Sequence, residues 1–328
     1  MKKLFGIIAL TLAMTLIFVG CNNDTTKTEE PKQEEKVEVK EDKKEETENK
    51  DTTEKEEKVE EKEEPKEEAT AESKEIIVVS REAGSGTRGA FVELTGVEED
   101  KQDNTYEEAV IQNGTDAVMS TVATDDNAIG YISLGSLNDT VKALKVDGVE
   151  ASVEDIKNGS YKISRPFNIC YKDGELNEAA QDFVDFIFSE EGQKIVEEKG
   201  YISAVDNAKP FEVKEGLSAQ LTIGGSTSVT PVMEVLAEKY SELNPDVEIN
   251  IESTGSTAGV TGAIDGTVDI GMASRELKEE ELAQLKGEAI ALDGIAVIVS
   301  VNNPAENIST ESIKDVFTGK VLDWKDVK

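Results

Sequence analysis

From Ile76 to the C-terminus, short β-branched runs alternate with stretches of helical periodicity, and this alternation restricts the fold more than any other feature. Ile76 to Ser80, Ala128 to Leu134 and Phe167 to Tyr171 read as strands, as do Leu221 to Ile223, Val247 to Ile251 and Asp269 to Met272. Ile295 to Val301 is apolar apart from Ser300, the pattern of a strand buried on both faces. Between the strands, helices are expected at Thr87 to Leu94, Thr230 to Leu243, Ala258 to Asp265 and Thr310 to Phe317. Asn177 to Lys199 carries Ala180, Phe183, Val184 and Ile187 at helical spacing and reads as one long helix or two broken near Gly192. Strand, turn and helix in repeated succession imply an α/β architecture with mostly parallel sheets. Such sheets bind ligands at the carboxyl ends of their strands.

The N-terminus has a different character. Lys2 and Lys3 precede an apolar run from Phe5 to Val19, and Gly20-Cys21 follows at once. The run is short for a membrane span and ends in small residues, as a cleaved export signal does. Phe18-Val19-Gly20-Cys21 resembles a bacterial lipobox, which implies a signal peptide over 1–20, lipidation of Cys21 and a lipid anchor in the membrane. An uncleaved N-terminal anchor is the other reading, and both place the rest of the chain outside the cytoplasm. About two-thirds of residues 22–74 are charged, so this stretch cannot bury enough apolar area to offset chain entropy. Residues 21–74 therefore read as a disordered Glu/Lys-rich tether, with a single charged helix as the alternative. After Cys21 only Cys170 remains, so no intrachain disulfide is expected. Cys170 sits in an apolar run, where it acts as a small buried hydrophobe.

The chain carries a net charge of −35 and has no histidine. An acidic chain without basic clusters excludes nucleic acid as the expected ligand. Without histidine, and with one cysteine after processing, an enzyme acting on phosphate esters would lack its usual bases and metal ligands. No catalytic residue, metal or cofactor is expected. A small anion remains compatible, because local dipoles can outweigh net charge.

Three segments share one design: Gly84-Ser85-Gly86-Thr87, Gly225-Ser226-Thr227-Ser228 and Gly255-Ser256-Thr257-Ala258-Gly259. Each follows an expected strand and opens an expected helix, and Thr230-Pro231 fits an N-cap with proline at the first helical position. The first turn of a helix leaves its N–H groups without partners, and the helix dipole adds partial positive charge there. Glycine admits a close approach and hydroxyls add donors, so several such ends can ring a tetrahedral oxyanion. Arg81 and Arg88 flank the first turn, and Ser274-Arg275 follows the strand ending at Met272. One such turn alone is usually a cap; three in one domain, two of them near an arginine, favour an anion site without identifying the anion.

The stretches LTIGGSTSVTPVMEVLAEKYSELNPDVEI, DGTVDIGMASRELKEEE, ALDGIAVIVSVNNP, FTGKVLDWKDV, VVSREAGSGTRGAF, AIGYISLG, VKALKVDGV and SEEGQKIVEEKGYI cover nearly all of 75–328. Together they resemble the phosphate-binding proteins of Pst-type ABC transporters, the PstS family. The resemblance implies a two-lobed type II periplasmic-binding-protein fold, with a hinge and a cleft between the lobes that closes on the ligand. It implies a receptor that hands inorganic phosphate to the membrane permease subunits of an ABC importer. The order differs from the family's, in which the GSTSV segment comes first and WKDV leads into SREAGSGTR. Moving 75–214 to follow Lys328 restores that order, so the chain reads as a circular permutation, one lobe being 136–299 and the other 75–135 plus 300–328. A dimer of swapped lobes, or fragments of two tandem copies, would give the same order.

Carried across the matching motifs, the resemblance implies a ligand site of Thr227, Ser228 and Ser226, Ser256 and Thr257, Ser274 and Arg275, and Arg81, Ser85, Gly86 and Thr87. It also implies a departure. Well-known members place carboxylates at the positions of Arg275 and Ala83, where they accept protons from hydrogen phosphate and reject sulfate. Neither position is acidic here, and Glu82 and Asp293 are the candidate replacements. Three further readings stay open: a binding protein for sulfate or a phosphorylated metabolite, a surface phosphate sensor, and a non-binding remnant of rearrangement.

Overall fold

The expected alternation is realised across residues 74–328, the part of the chain that the computed structural model describes. The export signal, Cys21 and the charged tether up to residue 73 lie outside the described residues. In chain order the main elements are β1 (Ile77–Arg81), α1 (Gly86–Leu94), β2 (Val110–Gln112), α2 (Thr115–Ala123), β3 (Ala128–Ser133), β4 (Val141–Ala143), β5 (Ser164–Tyr171), α3 (Glu178–Ile187) and α4 (Glu190–Glu198). They continue with β6 (Ala219–Gly225), α5 (Thr230–Leu243), β7 (Val247–Ser253), α6 (Ser256–Asp265), β8 (Ile270–Ala273), β9 (Lys286–Ser300) and α7 (Thr310–Phe317).

The strands form a sheet in the order β7-β6-β8-β5-β9-β3-β1-β2, with β4 also paired to β9. Its two ends are parallel: β6 pairs with β7 and β8, and β1 with β2 and β3. Its middle is antiparallel, where β5 pairs with β8 and β9 pairs with β5, β3 and β4. The sheet is therefore mixed, which corrects the expectation of mostly parallel sheets. The reason lies in β9, whose 15 residues outrun any one partner. Lys286 to Gly294 pair with β5, and Ile295 to Val299 pair with β3.

Apolar side chains gather on each side of that partner change. One cluster contains Phe167, Phe183, Phe186, Leu221, Ile223, Leu236 and Tyr240. Another contains Val78, Phe91, Tyr131, Val297, Ile313 and Phe317. In the second, Phe91 stacks on Tyr131 with ring centres 3.9 Å apart, and Phe317 meets Phe91 edge-on at 4.8 Å. Leu144, Ile156, Tyr161 and Ile163 also pack into the second cluster, although the sequence grouped them with 136–299.

The stretch over 177–199 forms two helices, with the break at Phe188-Ser189, just before Gly192. Ser189 caps α4, its Oγ accepting from the Gly192 N–H at 3.1 Å and donating to the Phe186 carbonyl at 2.6 Å. Position 192, inside α4, takes glycine because a Cβ there would stand 2.2 Å from the Phe186 carbonyl oxygen. Cys170 is buried, and burial pushes its thiol up to about 12. At the far end of the chain, the Trp324 N–H donates to the Lys74 carbonyl at 3.0 Å and the Ile76 N–H to the Leu322 carbonyl at 2.9 Å. The segment entering β1 thus runs beside the C-terminal segment.

Candidate functional site

The first turn leaves β1 at Arg81 and enters α1 through Gly84, whose φ of +87° suits glycine. Ser85 caps α1, its Oγ accepting from the Arg88 N–H at 3.3 Å. The second turn leaves β6 and enters α5, which starts at Thr230 behind an N-cap at Val229; Thr230 is helical and not the cap the sequence suggested. The third leaves β7 and enters α6, with Gly255 as N-cap. None of these three helices has an acidic residue in its first turn, so their positive N-terminal ends stay uncompensated from within.

The three turns meet. The hydroxyls of Thr87 and Ser228 lie 2.8 Å apart. Arg81 Nη2 donates to Thr227 Oγ1 at 2.8 Å. Ser226 Oγ donates to Ser274 Oγ at 2.9 Å, and Ser256 Oγ accepts from the Ser274 N–H at 3.1 Å. A Cβ added to Gly86 would stand 2.4 Å from Ser256 Oγ and 2.8 Å from Ser274 Oγ, so the α1 backbone lies directly against both serines. Arg81, Ser85, Gly86, Thr87, Ser226, Ser228, Ser256 and Ser274 are all buried, and Thr227 is half-buried. Thr257 stands at the rim: its side chain is exposed, and its N–H donates to the Gly84 carbonyl at 3.1 Å.

Arg81 is the cation of this cluster, and it is only 1% exposed. Its Nε and Nη2 donate to the two oxygens of Glu82 at 2.7 Å each. Its Nη1 is buried and has no hydrogen-bond partner. Arg88 supports it from behind, donating from Nη1 to the Arg81 carbonyl at 2.9 Å and from Nε to Asp103 at 2.6 Å. Burial raises the Glu82 carboxyl, but hydrogen bonding and charge from Arg81 outweigh it and hold the group below the ordinary glutamate range.

Two residues put forward from the sequence are engaged elsewhere. Arg275 follows Ser274, but its guanidinium is held by Glu281 through two bonds of 2.8 Å and by the Glu276 carbonyl at 2.9 Å. The adjacent helical turn carrying Glu281 thus holds the Arg275 guanidinium. Asp293 sits on β9, where Arg165 Nη2 donates to it at 3.1 Å and Ser133 Oγ at 3.0 Å.

The sequence reading missed a fourth turn, Asn113-Gly114-Thr115 at the start of α2. Gly114 has φ +88°, and Thr115 is buried with its Oγ1 3.3 Å from Ser228 Oγ and 3.4 Å from Thr227 Oγ1. The same glycine–hydroxyl signal was present. The strand before it, Val110–Gln112, has only three residues and exposed valine and isoleucine, so periodicity did not mark it.

Hydroxyls from the ends of parallel strands, gathered beside the buried Arg81, fit the site of a solute-binding protein. A family profile described as a PBP superfamily domain matches residues 46–191 and 212–328. The phosphate-binding protein PstS 2 of Streptococcus agalactiae is 50% identical over 266 residues, covering 79% of this chain and 90% of that one. The crystal structure of a phosphate-binding protein of a phosphate ABC transporter from Streptococcus pneumoniae TIGR4 superposes with a TM-score of 0.64 at 49% identity, covering 78% of this chain and all of that one. The phosphate-binding protein PstS of Bacillus subtilis is 32% identical over 128 residues, 38% of this chain and 43% of its own length. The chain belongs to the PstS family of ABC-transporter solute-binding proteins. That family consists of transport receptors and not of enzymes.

Proposed function

We propose that the chain binds inorganic phosphate outside the cytoplasm and delivers it to the membrane subunits of an ABC importer. The observation that carries this reading is the buried, unpartnered Nη1 of Arg81, a side chain whose Nη2 meets Thr227 in the hydroxyl cluster where three turns come together. The streptococcal relatives named for phosphate binding support it. The ligand-binding groups are Arg81, Ser85, Gly86, Thr87, Ser226, Thr227, Ser228, Ser256 and Ser274, joined by Thr115, with Thr257 at the rim. Lipidation of Cys21 anchors the chain, and 22–74 spaces the domain from the membrane. The domain comprises two lobes, built round the two apolar clusters and hinged where β9 changes partner. Exchange of sequence halves relative to the more distant family members fits the Bacillus subtilis relative matching along less than half of either chain. The adjacency of residues 74–76 and 322–324 fits it as well.

Calorimetric titration of the full chain with phosphate tests the reading: saturable one-to-one binding supports it, and no heat at millimolar phosphate removes it. A second reading, a receptor for another oxyanion, is favoured by one observation. Ala83 and Arg275 supply no carboxylate to accept a proton from hydrogen phosphate. Under that reading, sulfate displaces phosphate at comparable concentration.

A further inference from the structure

We propose that Arg165 is a second cation acting on the anion site and that Asp293 holds it in check, so that neutralising Asp293 strengthens phosphate binding. This rests on the phosphate reading above. Strand register puts the pair beside the site. Asp293 on β9 lies directly opposite Arg165 on β5, just before β9 leaves β5 for β3. The last residue of β3, Ser133, donates its hydroxyl to Asp293 Oδ1 at 3.0 Å. β3 in turn is the neighbour of β1, the strand that ends at Arg81. Burial lowers Arg165 to about 10 against the pull of Asp293, and the charge of Arg81 adds to the lowering. The two guanidiniums thus share one field, and an anion gathered at Arg81 feels Arg165 as well.

The pair is incompletely made. Arg165 Nη2 donates to Asp293 Oδ2 at 3.1 Å, while its Nε and Nη1 are buried without a partner. Two parallel bonds from one edge of the guanidinium would be the stronger form. The centre of the Phe167 ring lies 5.4 Å from the guanidinium carbon and supports the cation from one side. Among the described residues, Asp293 is the ion-pair partner of Arg165. Round the Asp293 carboxyl stand the Ser133 hydroxyl, the Gly135 N–H and the phenols of Tyr161 and Tyr201. Burial and the charge of Asp293 push both phenols up, so they stay neutral. Above about pH 6 Asp293 is charged and offsets Arg165; below it the carboxyl is protonated and Arg165 acts uncompensated. By linkage, a bound anion raises the carboxyl further, and the affinity gained through this pair grows as pH falls through about 6.

Calorimetric titration with phosphate compares the full chain, Asp293→Asn, and Asp293→Asn combined with Arg165→Met, at about pH 5 and about pH 7. Comparing chains at one pH cancels the change in phosphate's own charge. Asp293→Asn is expected to bind phosphate about three- to tenfold more tightly than the unaltered chain at the higher pH, and equally at the lower. The double variant, whose pair carries no charge, is expected to match the unaltered chain at the higher pH and to fall behind by a similar factor at the lower. A pair that only holds β5 to β9 would give no such crossing: its loss would weaken binding at both pH values or at neither. Ligand-free melting checks folding. Should Asp293→Asn not fold, the double variant decides, since it buries no unpaired charge. Asp293→Asn binding no more tightly than the unaltered chain at the higher pH overturns the proposal. So does a double variant whose affinity relative to the unaltered chain is the same at both pH values. Absence of phosphate binding by the unaltered chain overturns the phosphate reading itself, and this proposal with it.

Discussion

Arg165 and Asp293 place two opposite charges where β9 leaves β5 for β3, and each residue is about 2% exposed. Burial raises the Asp293 carboxyl to about 6, against the pull of Arg165 and of the Ser133 hydroxyl, and lowers Arg165 to about 10. The ordinary value for an unfolded aspartate is about 3.9. The folded state therefore binds a proton between roughly pH 4 and pH 6 that the unfolded state does not. The contribution of Asp293 to stability is fully present below the unfolded value and is lost as pH rises through about 6. Replacing it by asparagine should remove that slope in urea unfolding measured at pH 5 and pH 7. Gly86 makes a second prediction. Gly86→Ala puts a methyl group into Ser256 Oγ and Ser274 Oγ, and it should abolish the rise in melting temperature that phosphate induces. A variant that still gained the full rise would show that α1 does not close against these serines.

Secondary structure followed the sequence closely where a run was long and its period clear. The helix expected at 230–243 is Thr230–Leu243, and that at 310–317 is Thr310–Phe317. Boundaries slipped where a cap decided them. The cap at Ser189 sets the break between α3 and α4, which the sequence put near Gly192. Ser189→Ala is expected to lose about 1–2 kcal/mol in chemical denaturation, because the hydroxyl both accepts and donates in a buried place. Three of the four turns round Arg81 were legible, because each joins glycine and hydroxyls between a clear strand and a clear helix. The fourth was hidden by a three-residue strand with two exposed side chains. The direction of Arg275 was hidden for another reason: Glu281 is six residues on, beyond a turn whose geometry no local pattern fixes. The pairing of β9 was equally out of reach, since an apolar run states burial and not partners.

At the scale of the molecule, the relation between chain order and fold becomes testable. Lys74 and Glu75 lie beside Asp323 and Trp324, joined by a bridge and a 3.0 Å hydrogen bond. Because the two segments already touch, a chain starting at residue 215, running to 328 and continuing from 74 to 214 should fold and show the same phosphate-induced stabilisation as the native order. Failure of that chain to fold, in the hands that fold the native one, would mean that the present order is needed for folding. The central claim is narrower: separate helix starts and one arginine close on a single oxyanion. A crystal structure of the chain grown with phosphate tests it most directly. The account predicts one phosphate with an oxygen within hydrogen-bonding distance of Arg81 Nη1 and others met by the turns at Ser85, Thr227 and Ser256; a phosphate bound elsewhere, with Arg81 Nη1 still unpartnered, would contradict it.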